Sequence, residues 1–170
     1  MPDVEVRHSA IHGFGVFATR GFAPGETVLW IDDSRVVDEA HPLRPELGEL
    51  PTHQDYLAGG RVVLMPEPER HINSSCDPSA YVQWTGERRA VIARRAIAAG
   101  EEITYDYIID CDGGAVWTCA CGAARCRGVV PSSFFELPLE TQREYLPLLS
   151  PWFVAEHAER VAALRDRPVS

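Results

Sequence analysis

The sequence contains no lysine: all 16 basic residues among its 170 are arginine. The chain therefore has no lysine side chain of its own to modify, and its wealth of Ala, Gly, Pro and Arg points to GC-rich coding and a bacterial source. No apolar run approaches the ~18 residues of a membrane span, and the start, Met1-Pro2-Asp3-Val4-Glu5, has neither a basic patch nor an apolar stretch. These absences predict a soluble, cytoplasmic protein with no membrane partner. Positive charge is also scarce, since the net charge is −9. That argues against broad nucleic-acid binding and favours a cationic partner. The length suits one domain with a substantial core.

Cysteine is sparse outside one cluster. Of five, three fall at Cys119, Cys121 and Cys126, spacing that in an intracellular chain favours metal over disulfide. Three thiolates around one Zn²⁺, helped by a turn at Gly122, need a fourth ligand from Cys76, Cys111 or a histidine. His8, His41, His53 and His157 show no metal spacing and read as surface or structural residues.

Taken in order, residues 4–12 read as a strand or arm leading to Gly13-Phe14-Gly15, whose glycines let the backbone turn tightly or pass close to something. Strands follow at 16–19 and, after a Pro24-Gly25 turn, at 27–31; the corner at 20–28 is echoed at 95–103. Residues 32–60, broken by Pro42, Pro45 and Pro51, read as a variable insert with short helical turns. Residues 61–65 read as a strand, 70–79 as a polar loop, and 81–84 with 89–97 as a hairpin around Gly86-Glu87. A strand over 103–109 would put Tyr105 and Tyr107 on one face, where their hydroxyls can grip an amine. After a flexible 110–114 come the cysteine cluster and two helical segments, about 141–146 and 152–164, for packing or interaction.

Together, Gly13-Phe14-Gly15-Val16-Phe17, the 70–78 stretch with Asn73 and Cys76, Glu102-Ile103-Thr104-Tyr105-Asp106-Tyr107 and Cys119-x-Cys121-Gly-x3-Cys126 resemble the SET-domain protein lysine methyltransferases over about residues 5–130. The resemblance implies a mainly β fold of small curved sheets with a knot-like core and short helices, plus a C-terminal helix. The expected organisation is a SET domain over 1–110, a zinc-binding post-SET segment over 111–130 and a helical extension over 131–170. It implies S-adenosylmethionine as cofactor, met by the backbone of His12, Gly13, Phe14 and Gly15, by Asn73 and Ser74, and by Tyr107. Tyr107 matches the catalytic tyrosine, Tyr105 the position that influences how many methyl groups are added, and Tyr56 a tyrosine lining the lysine channel. Cys76 becomes the fourth ligand of one structural zinc ion that closes the channel.

With tyrosine at 105, mono-methylation is the expected main product. Ser74 and Ser79 stand where the family carries His and Asn, and His71 where it carries Phe, so position 79 is expected to hold its segment less tightly. The implied partner is a lysine-containing protein or peptide, such as a histone tail if the source lives with a host, with the host nucleus then the site of action. Two alternatives stay open: a SET-like binding module without catalysis, and a methyltransferase for a small amine or amino-acid metabolite. Oligomeric state is not legible.

Overall fold

A computed structural model describes residues 2–166. Its strands are short and its sheets small. Strands β1 (Val4–His8) and β2 (Phe14–Ala18) form an antiparallel hairpin; β2 pairs antiparallel with β9 (Glu102–Tyr105), and β6 (Asn73–Ser74) adds to β9 in parallel. A three-stranded sheet has the order β3 (Thr27–Trp30), β8 (Arg88–Ala93), β7 (Ala80–Thr85). Pairs β4 (Gln54–Tyr56) with β5 (Val62–Leu64), and β10 (Trp117–Thr118) with β11 (Val129–Val130), complete the strands. Helices α1 (Leu139–Tyr145), α2 (Pro151–Glu156) and α3 (Ala158–Asp166) close the described chain. No helix among the described residues is long and apolar enough to cross a membrane.

The apolar run Ala90-Val91-Ile92-Ala93 is buried because β8 is the middle strand of its sheet. Its hairpin with β7 turns at Gly86-Glu87, as the sequence predicts. Val16, Ala18, Ile72, Val91, Ile97 and Ile103 share one core, each large aliphatic contributing about 1.5–3 kcal/mol by burial. The two echoing corners face each other: Phe22 and Ile97 exchange both backbone hydrogen bonds, at 2.9 and 3.0 Å.

Four details depart from the sequence reading. The 70–79 stretch is not wholly loop, because the backbone of Asn73 and Ser74 finds partners on β9. Strand β9 stops at Tyr105, since Asp106 turns the chain by accepting from the backbone of Ile108 and Ile109. The insert contains β4 as well as three short 3₁₀ turns. The helix expected over 152–164 breaks at His157 (φ −112°, ψ 32°), whose ring is held 4.4 Å from Phe153 and 5.4 Å from Phe135.

The C-terminal helices carry their own core. Phe134, Leu137, Tyr145, Phe153, Val161 and Leu164 pack together with Ile108 and Val130, so this region is anchored on the turn after β9.

Glu69, buried just before β6, has one carboxylate oxygen without a partner among the described residues. Burial raises its pKa above the ordinary 4.5. The folded protein therefore holds a proton that the unfolded chain releases, and stability falls as pH climbs from 4.5 through the raised value. Glu69→Gln is accordingly expected to melt higher than wild type at pH 7, with the gap closing below pH 4.5; calorimetric melts across that range check it.

Candidate active site and cysteine cluster

The β6–β9 pairing sets Asn73 beside Thr104 and Ser74 beside Tyr105. Buried Asn73 reaches across to the loop between β1 and β2, where Nδ2 donates to the carbonyls of His12 (3.2 Å) and Phe14 (2.9 Å) and to Glu102 Oε1 (2.8 Å). Its Oδ1 accepts no hydrogen bond from the described residues, which leaves an acceptor open near the exposed residues His12, Gly13 and Phe14. The glycines differ in purpose. Gly13 needs its φ of +47°, whereas a Cβ on Gly15 would lie 2.3 Å from Glu102 Oε1, so the backbone does pass close to something. The Phe14 ring stacks on His8 at 4.6 Å and meets His71 edge-on at 5.7 Å. An acceptor amide, exposed backbone and an aromatic face fit an aminoacyl-nucleoside cofactor.

Neither serine is idle. Ser74 Oγ accepts from the backbone N–H of Tyr107 at 3.2 Å. Fully buried Ser79 donates from Oγ to Glu102 O (3.3 Å), accepts there from Thr104 N (3.0 Å), and gives its own N–H to Thr104 Oγ1 (3.3 Å). Position 79 does not leave its neighbours unpaired, because the short hydroxyl reaches both backbone groups.

Tyr56, Tyr105 and Tyr107 line one cavity of about 1170 Å³. The rings of Tyr105 and Tyr107 lie 5.1 Å apart although only Tyr105 is on the strand. Tyr107 donates to Ile72 O at 2.5 Å. Burial, then the charge of Asp55, pushes its phenol up to about 12; burial, then Tyr107, drives Tyr105 well above its ordinary range. Tyr56 is 67% exposed and sits at the mouth. Its strand is tied down by Asp55, which accepts from buried Arg89 at 2.5 Å, while Arg89 also grips Asp33 at 2.6 and 2.9 Å.

The sulfurs of Cys76, Cys119, Cys121 and Cys126 all lie within 4.8 Å of one another. A tetrahedral Zn²⁺ with Zn–S near 2.3 Å needs S···S separations of about 3.8 Å, and the Cys76–Cys119 pair stands at 3.6 Å. Burial opposes ionisation at Cys121, but the N–H groups of Cys76 and Ala123 together with the thiols of Cys119 and Cys126 outweigh it and bring the thiol down to about 6. This donor set can hold a metal ion. Cys111 stands apart, its thiol donating to Ser132 O at 3.4 Å.

Several residues that bind the site together carry no motif of their own. Arg127 reaches both oxygens of buried Asp106 at 2.8 Å, and Tyr145 donates to the same carboxylate at 3.0 Å. One ion pair thus joins the tyrosine turn, the cysteine segment and α1. Asp110 adopts φ 64° and binds Ser150 N at 2.8 Å and Ser150 Oγ, seating α2 so that Trp152 and Phe153 line the same cavity. Only the Asp following Tyr105 hinted at this network, by lying between two tyrosines.

The SET domain profile matches residues 13–108. Histone-lysine N-methyltransferase set-2 of Caenorhabditis elegans is 32% identical over 136 residues, covering 74% of this chain and 9% of its own length. Human Histone-lysine N-methyltransferase 2B is 32% identical over 135 residues, covering 73% of this chain and 5% of its own length. A Candida albicans histone-lysine N-methyltransferase, H3 lysine-36 specific, is 44% identical over 61 residues, covering 34% of this chain and 7% of its own length. The chain spans well under a fifth of the length of these relatives. A crystal structure of a Plasmodium falciparum protein described as a histone methyltransferase shares the fold, with TM-score 0.50 and 19% identity over 63% of this chain and 94% of that one.

Proposed function

Since the chain belongs to the SET-domain family, we propose that it transfers a methyl group from S-adenosylmethionine to the side-chain amine of a lysine in a protein, with mono-methylation as the main outcome. The observation that carries this is the β6–β9 pairing, which brings the strand bearing Asn73 alongside the strand that ends at Tyr105, a residue of the tyrosine-lined cavity. Relatives named for histone H3 lysines, and the net charge of −9, favour a cationic protein segment such as a histone tail as acceptor.

S-adenosylmethionine, when bound, supplies a methyl group made electrophilic by its sulfonium. Asn73 Oδ1 would accept from its amino group, with His12, Gly13, Phe14, Gly15 and the Ser74 backbone along its length. The tyrosines deal with the acceptor. Among Tyr56, Tyr105 and Tyr107 an entering ammonium exchanges water for ring edges, which favours the uncharged amine, and its proton leaves to water. Both phenols stay neutral at physiological pH, so their oxygens accept from the amine N–H and aim its lone pair. Zinc on Cys76, Cys119, Cys121 and Cys126 would fix the segment that holds Trp117 against Tyr107, whose rings stand 6.3 Å apart, and so close the channel.

Incubation with methyl-labelled S-adenosylmethionine and a lysate of the protein's own source tests the proposal. Label is expected in protein, and prior acetylation of lysate amines should prevent it; label in small molecules alone would overturn the protein-acceptor reading. Tyr105→Phe removes a hydroxyl that narrows the cavity, so the di-methyl fraction on the labelled acceptor is expected to rise by mass spectrometry. An unchanged distribution would remove Tyr105 from that role.

A further inference from the structure

Glu102 opens β9 and touches neither the tyrosine cavity nor the cysteine cluster, yet the exposed loop between β1 and β2 is built around its carboxylate. Oε1 accepts from Asn73 Nδ2 at 2.8 Å, and Ser9 Oγ spans Oε1 and Oε2 at 2.8 and 2.9 Å. Ser9 Oγ in turn accepts from Ile11 N at 2.9 Å, and Ser9 N donates to Gly13 O at 3.0 Å. Gly15 is pressed so closely on this carboxylate that no side chain fits between them.

An asparagine amide has two nearly isosteric ends, and its surroundings decide which faces where. Here the inner end meets three oxygens: the carbonyls of His12 and Phe14 and the carboxylate of Glu102. The flipped amide would set Oδ1 against all three, one of them charged. Only the NH₂ inward is tolerable, and Oδ1 then faces outward as an acceptor. The two carbonyls are neutral, so the charge-assisted bond to Glu102 is the strongest of the three.

We propose that Glu102 is a positioning residue for the cofactor, fixing the flip of Asn73 so that Oδ1 receives the amino group. This rests on the S-adenosylmethionine reading given above. It assigns Glu102 no contact with cofactor or acceptor.

Calorimetric titration of the zinc-loaded protein with S-adenosylmethionine, without acceptor, tests it. Glu102→Leu is expected to weaken binding roughly 10-fold or more, the usual consequence of losing a charge-assisted hydrogen bond. Glu102→Gln can keep an oxygen on Asn73 and turn its NH₂ to Ser9 Oγ, so its affinity should stay within about threefold of wild type. In the Asn73→Ala background Glu102→Leu should cost nothing more, because the two residues act as one unit. Should Glu102→Leu fail to fold, Glu102→Asp, whose carboxylate is withdrawn by one methylene, carries the test with the same weakening expected. Wild-type affinity in the Leu or Asp variant, or losses that add in the double variant, would overturn the proposal while leaving the functional reading intact. A wild-type protein that binds no S-adenosylmethionine would overturn both.

Discussion

Replacing Cys76 by serine is expected to lower bound zinc and methyl transfer together. Cys76 sits between two functions: two residues after β6, it brings its sulfur 3.6 Å from that of Cys119, and the backbone N–H of Arg127 lies 3.4 Å from that sulfur. Structural zinc is held by four ligands, and loss even of a supporting partner typically costs about 10–100-fold in metal affinity, so loss of a ligand should cost at least as much. Without the ion, the 119–126 segment is tied to the rest of the fold through the Arg125–Glu144 pair and, just beyond it, the Arg127–Asp106 pair, and Trp117 is expected to lose its fixed place against Tyr107. Elemental analysis should find about one zinc per wild-type chain and a marked loss in Cys76→Ser. Cys111→Ser should keep its zinc, since that thiol points to Ser132 O. Full zinc occupancy in the Cys76 variant would contradict the assignment.

Tyr107→Phe is expected to lower kcat by roughly 10²–10³, the usual consequence of removing one aimed polar group from an active site. Its affinity for S-adenosylmethionine should change far less, because Asn73 and the His12–Gly15 backbone are untouched. The hydroxyl is held at 2.5 Å by Ile72 O, immediately before Asn73, so the phenol is placed by the same segment that carries the Asn73 amide. Single-turnover kinetics and cofactor titration separate the two effects. Transfer within about twofold of wild type would assign the chemistry elsewhere.

Local order was largely legible. The β7–β8 hairpin follows from two apolar runs around Gly86-Glu87, and Pro45 and Pro51 each open one of the insert's three helical turns. Tyr105 and Tyr107 do meet, but not by strand alternation; the carboxylate of Asp106 ends the strand, and its long-range partners Arg127 and Tyr145 lie 21 and 39 residues away. Pairings of that kind leave no periodic trace. The same holds for Cys76, which the need for a fourth ligand left as one candidate beside Cys111 and the histidines and which the family resemblance alone singled out. Position 79 was hard to read because an amide and a hydroxyl can satisfy the same two backbone groups from different lengths. The break at His157 was hidden for a related reason: apolar spacing continues through it, while the partners of its ring, Phe135 and Phe153, leave no local trace at that position.

Tandem mass spectrometry of the labelled acceptor tests the central claim most directly. The methyl group should sit on a lysine side-chain nitrogen of a protein acceptor, and none should sit on a lysine of this 170-residue chain, which has none. Methyl label on another residue type, or only on a small metabolite, would contradict the account.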